Sequence, residues 1–150
     1  MKDRTGSMKN RTRKNRSKTT SHSSFEKEII ITFLQMLNNV KLYHWKTHSF
    51  ATHKATDDLY SKLNENIDSF VEVLLGKYGD RANLSDVKSI QIRDFSTQEQ
   101  FKKQINYYKE YLISLDSNRV MKMMANSDLY NIRDEMLANL NQLLYLLTFK

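Results

Sequence analysis

From residue 7 to residue 75 the chain contains neither glycine nor proline, and proline is absent throughout. The only glycines are Gly6, Gly76 and Gly79. Tight turns draw on these two residue types for positive or fixed φ, so a fold of short strands joined by many hairpins does not fit. Long helices with few connections do. At 150 residues the chain suffices for one domain with a real core. The lack of cysteine removes a disulfide framework, thiolate metal ligands and a thiol nucleophile. No apolar run approaches the ~20 residues of a membrane span, and the first residues lack the apolar core of a signal peptide. The expectation is a soluble, non-exported protein with no membrane partner.

Charge divides the chain in two. Residues 1–24 (MKDRTGSMKNRTRKNRSKTTSHSS) set Lys2, Arg4, Lys9, Arg11, Arg13, Lys14, Arg16 and Lys18 against Asp3 alone, which accounts for the whole formal charge of +7. Residues 25–150 hold sixteen basic and sixteen acidic side chains. The arm has no aromatic and no aliphatic residue beyond two methionines, so burial cannot offset its ordering entropy. A disordered arm over 1–24 and a folded domain over 25–150 are expected. Eight cations on a polar segment bind polyphosphate without reading its sequence. Non-specific DNA binding is the functional reading, and a solubilising tail or localisation signal is the alternative.

Four amphipathic segments follow. Residues 24–46 carry Phe25, Ile29, Phe33, Met36, Leu37 and Val40 at helical spacing, with Ser24 placed as N-cap. Residues 51–78 form a second helix ended by Gly79. Residues 80–95 are a connection of little periodicity. Ser96 with Glu99 reads as the capping box of a third helix, and a fourth starts near Ser127. The expected fold is all-α, an antiparallel four-helix bundle. Its one long connection suits the crossover of a ferritin-like bundle.

The chemistry lies in LYHWKTHSFATHKATDDLYSKLNENIDSFVEVLLGK, residues 42–77. At about 100° per residue, His53, Asp57, Asp68 and Glu72 fall within one arc of roughly 100° on the second helix. Each i, i+4 pair can face one ion. The two pairs lie ~22 Å apart along the axis, whereas metal ligands sit within ~2–2.5 Å of the ion. One chain cannot close them, but two copies packed antiparallel about a two-fold axis can, giving two equivalent sites. His44, at the end of the first helix, adds a nitrogen within range. Each residue alone also fits an ordinary solvated helix face, and Trp45 fits plain core. His48 reads as a polar turn residue or as a metal partner of His44, His22 has no assigned role, and Met121, Met123 and Met124 read as packing.

The ordered set His44-Trp45, His53-x-x-x-Asp57 and Asp68-x-x-x-Glu72 resembles the ferroxidase signature of the Dps family, the mini-ferritins. The segment Asp58-Leu59-Tyr60 and the last helix are similar as well, so the resemblance covers roughly residues 25–149. It implies a shell of twelve four-helix subunits that binds iron(II) between subunits and oxidises it, typically with hydrogen peroxide, and stores the ferric product. His44, His53 and Asp57 would come from one subunit and Asp68 and Glu72 from its two-fold mate, with Trp45 as an electron donor beside them. Zinc is a possible substitute for iron. Asp128 and Asp134 are candidate pore residues. Many members hold DNA with basic tails, which implies a cytoplasmic, nucleoid-associated protein, or a virion-associated one if the source is a virus. The chain departs from the family in three places. His53 follows His44 by nine positions where twelve are usual, the turn glycine is replaced within HWKTHSF, and the 80–95 connection is short. No Glu-x-x-His of a classical ferritin occurs. The rival reading is a DNA-packaging particle whose metal site is weak, structural or not for iron.

Overall fold

The computed structural model describes residues 22–149 with their side chains and the helical backbone upstream to Gly6. The chain is all-α, with no strand among the described residues. Its elements are α1 (Gly6–Lys46), α2 (Phe50–Tyr78), α3 (Gln98–Ser114), a 3-10 turn (Leu115–Ser117), α4 (Arg119–Lys122) and α5 (Ser127–Leu146). No described helix is long and apolar enough to cross a membrane. The cationic side chains from Lys2 to Lys18, and the disorder expected for them, lie outside the described residues. At residue 24 the backbone does not break. Ser24 is an exposed interior residue of α1, not its N-cap, because neither glycine nor proline interrupts the helix there.

Helix ends follow side-chain chemistry. Ser49 caps α2, its hydroxyl accepting from Thr52 N at 3.2 Å. At the other end Gly79 takes φ 69°, and its N–H donates to Leu75 O at 2.8 Å. An L-residue with a Cβ is strained in that left-handed conformation. The cap of α3 is Thr97 rather than Ser96: Thr97 Oγ1 accepts from Gln100 N at 3.2 Å, while Gln100 Oε1 accepts from Ser96 N at 2.8 Å. The box pairs Thr97 with Gln100, and Glu99 turns outward to Lys102 at 3.1 Å.

Contacts along the helices fix their directions. α1 and α2 are antiparallel, with His44 against His53 at one end, Phe33 edge-on to Phe70 in the middle and His22 against Tyr78 at the other. α2 and α5 are antiparallel through Lys62–Gln142, Asn66–Asn139 and Lys77–Asp128. α3 lies antiparallel to α1 through Tyr43 stacked on Phe101 at 4.1 Å, and to α5 through Gln98 bonded to Leu147 O. α2 and α3 therefore run the same way, and the segment between them returns along the length of the molecule. Lys27–Asp86 and Lys46–Asp94 ion pairs pin that segment to α1. The core shared by these helices is fully buried at Ile29, Phe33, Leu63, Phe70, Ile105 and Leu140. Truncating Phe33 or Phe70 to Ala would cost about 3–5 kcal/mol.

Candidate metal centre at the head of the α1–α2 hairpin

The break between α1 and α2 is three residues long, 47–49. Thr47 N continues the helical pattern to Tyr43 O at 3.0 Å, and Thr47 Oγ1 accepts from Ser49 N at 3.2 Å. This short turn brings the imidazoles of His44 and His53 into a stack, with centroids 3.9 Å apart and planes 23° from parallel. Their bonds are reciprocal. His44 Nδ1 lies 2.9 Å from His53 O, and His53 Nδ1 lies 3.0 Å from His44 O. A carbonyl oxygen only accepts, so each Nδ1 carries the proton and donates. In the neutral rings each Nε2 is then left with its lone pair. That is how second-shell carbonyls orient histidine ligands for a metal. Thr56, fully buried, donates to Thr52 O at 2.7 Å and lies 3.3 Å from His44 Nδ1, closing the support.

His44 is only 6% exposed, and its Nε2 lies 3.8 Å from Oδ1 of the half-exposed Asp57. Two ligands held ~2.0–2.2 Å from one ion lie about 3–4 Å apart, so this pair fits a shared cation. Imidazole with carboxylate suits iron(II) and zinc and does not suit copper(I). The set in one chain is open, since among the described residues no three His, Asp or Glu converge closely enough to hold a metal.

Asp68 and Glu72 are both exposed on α2, and neither has an ion-pair partner among the described residues. They stay remote from the histidines, as the helical rise requires. Trp45 is 70% exposed, so it is not core. His48 is exposed in the turn and bonds to nothing among the described residues. His22 is part of α1 and packs on Tyr78 with centroids 4.4 Å apart. Met121 is fully buried packing, while Met123 is exposed. The candidate pore carboxylates are both in ion pairs, Asp128 with Lys77 at 2.9 Å and Asp134 with Arg133 at 2.7 Å.

Sequence reasoning did not single out Lys41. Its ammonium lies 3.8 Å from Asp57 Oδ1, 4.5 Å from the Tyr60 ring centroid and 5.8 Å from that of Trp45. It joins Asp57 to the exposed tryptophan. Its place one turn before His44 is the only trace in the sequence, and that trace acquires meaning only with the register of the hairpin.

No curated protein and no solved structure matches the chain. Residues 44–147, which start at the first histidine of the cluster and run to the end of the last helix, match a family described as a family of unknown function, DUF5856, and the chain belongs to that family.

Proposed function

We propose that this chain is the subunit of a Dps-like shell that binds iron(II) between two-fold-related copies and oxidises it. The observation that carries the reading is the reciprocal His44/His53 clamp, which leaves each Nε2 as an acceptor, that of His44 3.8 Å from Asp57 Oδ1. Two further features support it. The packing order α1–α2–α5–α3, with α2 and α3 parallel and one long connection, supports the reading of a ferritin-like four-helix bundle. Asp68 and Glu72 share the helical arc of His53 and Asp57 and are exposed, as ligands offered to a second copy must be.

In this reading His44, His53 and Asp57 of one subunit and Asp68 and Glu72 of its mate hold iron(II) as substrate. Hydrogen peroxide is the oxidant and twelve subunits form the shell. The clamp keeps the imidazoles from rotating, and the carboxylates neutralise the ion's charge. Trp45 would be the electron donor in this reading, and its exposure beside Lys41 supports that role. The basic arm, Lys2 to Lys18, holds DNA through its phosphates, and many arms on one particle act by effective concentration.

The test is iron(II) added without oxygen, then hydrogen peroxide, with ferric absorbance followed in wild type and in Asp68→Ala/Glu72→Ala. Fast oxidation is expected in the first and loss of it in the second. Subunit sharing makes a sharper demand. Assembled together in equal amounts, His53→Ala and Asp68→Ala/Glu72→Ala subunits should regain about a quarter of the wild-type rate, because half of the random dimers carry one intact site of two. No recovery would place the ligands within one chain or remove the site. One observation favours a second reading, a DNA-packaging particle with a weak or zinc-binding site: Lys41 already sets a positive charge against Asp57.

A further inference from the structure

A second polar site lies on the other side of α1, away from the histidines. The returning segment crosses between α1 and α3 and leaves two adjoining clefts, of about 230 Å³ and about 470 Å³, which share Arg93, Gln104 and Tyr107 in their walls. The floor of the smaller cleft is polar and deeply set. Asn39 is 2% exposed and Gln104 8% exposed. Asn39 Nδ2 donates to Tyr108 Oη at 2.5 Å, and Asn39 Oδ1 accepts from Arg93 N at 2.8 Å. Arg93 Nη1 donates to Gln104 Oε1 at 3.4 Å. Gln35 and Gln91 complete the mouth. Buried carboxamides in the wall of a cleft are unusual, because apolar residues would close the gap at less cost.

The larger cleft has a different character. Tyr107 stands 57% exposed at the boundary of the two clefts. Arg93 and Lys103 line the same space, and neither enters an ion pair among the described residues. The single carboxylate in the wall, Asp94, is already held by Lys46 at 2.8 Å. A neutral, amide-lined floor, an exposed aromatic platform and an uncompensated cationic rim fit one chemical class. Carboxamides pair bidentately with purine edges, aromatic faces stack bases, and arginine with lysine takes the phosphate.

We propose that this cleft binds a nucleotide, its base stacked on Tyr107 and read by the carboxamides of Gln35 and Gln91 at the mouth, its phosphate between Arg93 and Lys103. The site is independent of the basic arm and of the metal reading. The full chain is titrated calorimetrically with AMP, with inorganic phosphate and with a short single-stranded oligoadenylate. Tyr107 is exposed, so its substitution leaves the core intact. Tyr107→Ala should weaken AMP binding roughly 5- to 100-fold, and Tyr107→Phe should keep it. Phosphate should displace AMP only at a large excess. Dependence on Tyr107 for AMP identifies a free nucleotide as ligand, and dependence for the oligoadenylate alone identifies one unit of a strand. Binding of both that ignores Tyr107→Ala, or AMP displaced by phosphate at equal concentration, overturns the site.

Discussion

The two ends of the α1–α2 hairpin use the same residue types and reach opposite outcomes. At the head, each histidine of the stacked pair satisfies its Nδ1 on the other's backbone, and the remaining nitrogen of His44 lies 3.8 Å from Asp57. At the foot, His22 Nε2 and Tyr78 Oη are buried with no partner among the described residues. Beside them Glu26 is 7% exposed, and burial followed by the charge of Asp80 raises its pKa above the ordinary glutamate range. Burial and then Glu26 push the Tyr78 hydroxyl up to about 12. A polar cluster that is internally satisfied can offer its spare atoms to a ligand without loss of stability. One that is not satisfied weakens the fold.

The largest expected effect separates the two histidines. His44→Ala removes a buried stacked ring and a hydrogen bond and should cost about 2–3 kcal/mol. His22→Ala removes a ring whose nitrogen is unsatisfied and should stay within about 1 kcal/mol. Urea unfolding at one fixed protein concentration measures both, and equal losses would dissolve the contrast. Glu26→Gln comes next. The raised pKa means the folded state prefers the neutral carboxyl, so wild-type stability is intact below pH 4.5 and falls as pH rises through the titration of Glu26. The glutamine variant escapes that fall. Its melting temperature should match wild type near pH 4 and exceed it by about 2–4 °C at neutral pH. A gap that does not change with pH would refute the cause. Smaller still, Tyr78→Phe keeps the ring and removes the orphan hydroxyl. A gain of about 0.5–1 kcal/mol is expected in the same denaturation experiment.

Features that depend on local chemistry were legible in the sequence. Gly79 ends α2 where a left-handed residue was needed, and the four apolar stripes became the core helices. Caps slipped by a residue where two hydroxyls compete: Ser96 and Thr97 are both good N-caps, and Gln100 decides between them by reaching back. The candidate site was legible as spacing only. The mutual His44/His53 bonds depend on how a three-residue turn sets one helix against the next, which no single-helix projection contains. The outward tryptophan, the packing of His22 on Tyr78 and the ammonium of Lys41 near Asp57 follow from the same register.

Lys41 supplies the smallest effect and the most direct probe of the head. Its ammonium and a bound cation would compete for the same carboxylate. Asp57 is about half exposed and the ammonium is shared with two aromatic rings, so the competition is screened to about 1 kcal/mol or less. Lys41→Met keeps the length of the side chain and removes its charge. Cobalt(II), which reports its ligands by colour, should then bind up to about fivefold tighter than to wild type. The gain should shrink in Asp57→Asn, where the contested charge is gone. Binding that ignores Lys41 would mean that the cation approaches from the side of Asp68 and Glu72, away from Asp57, and that the clamp and the carboxylate pair serve separate ends.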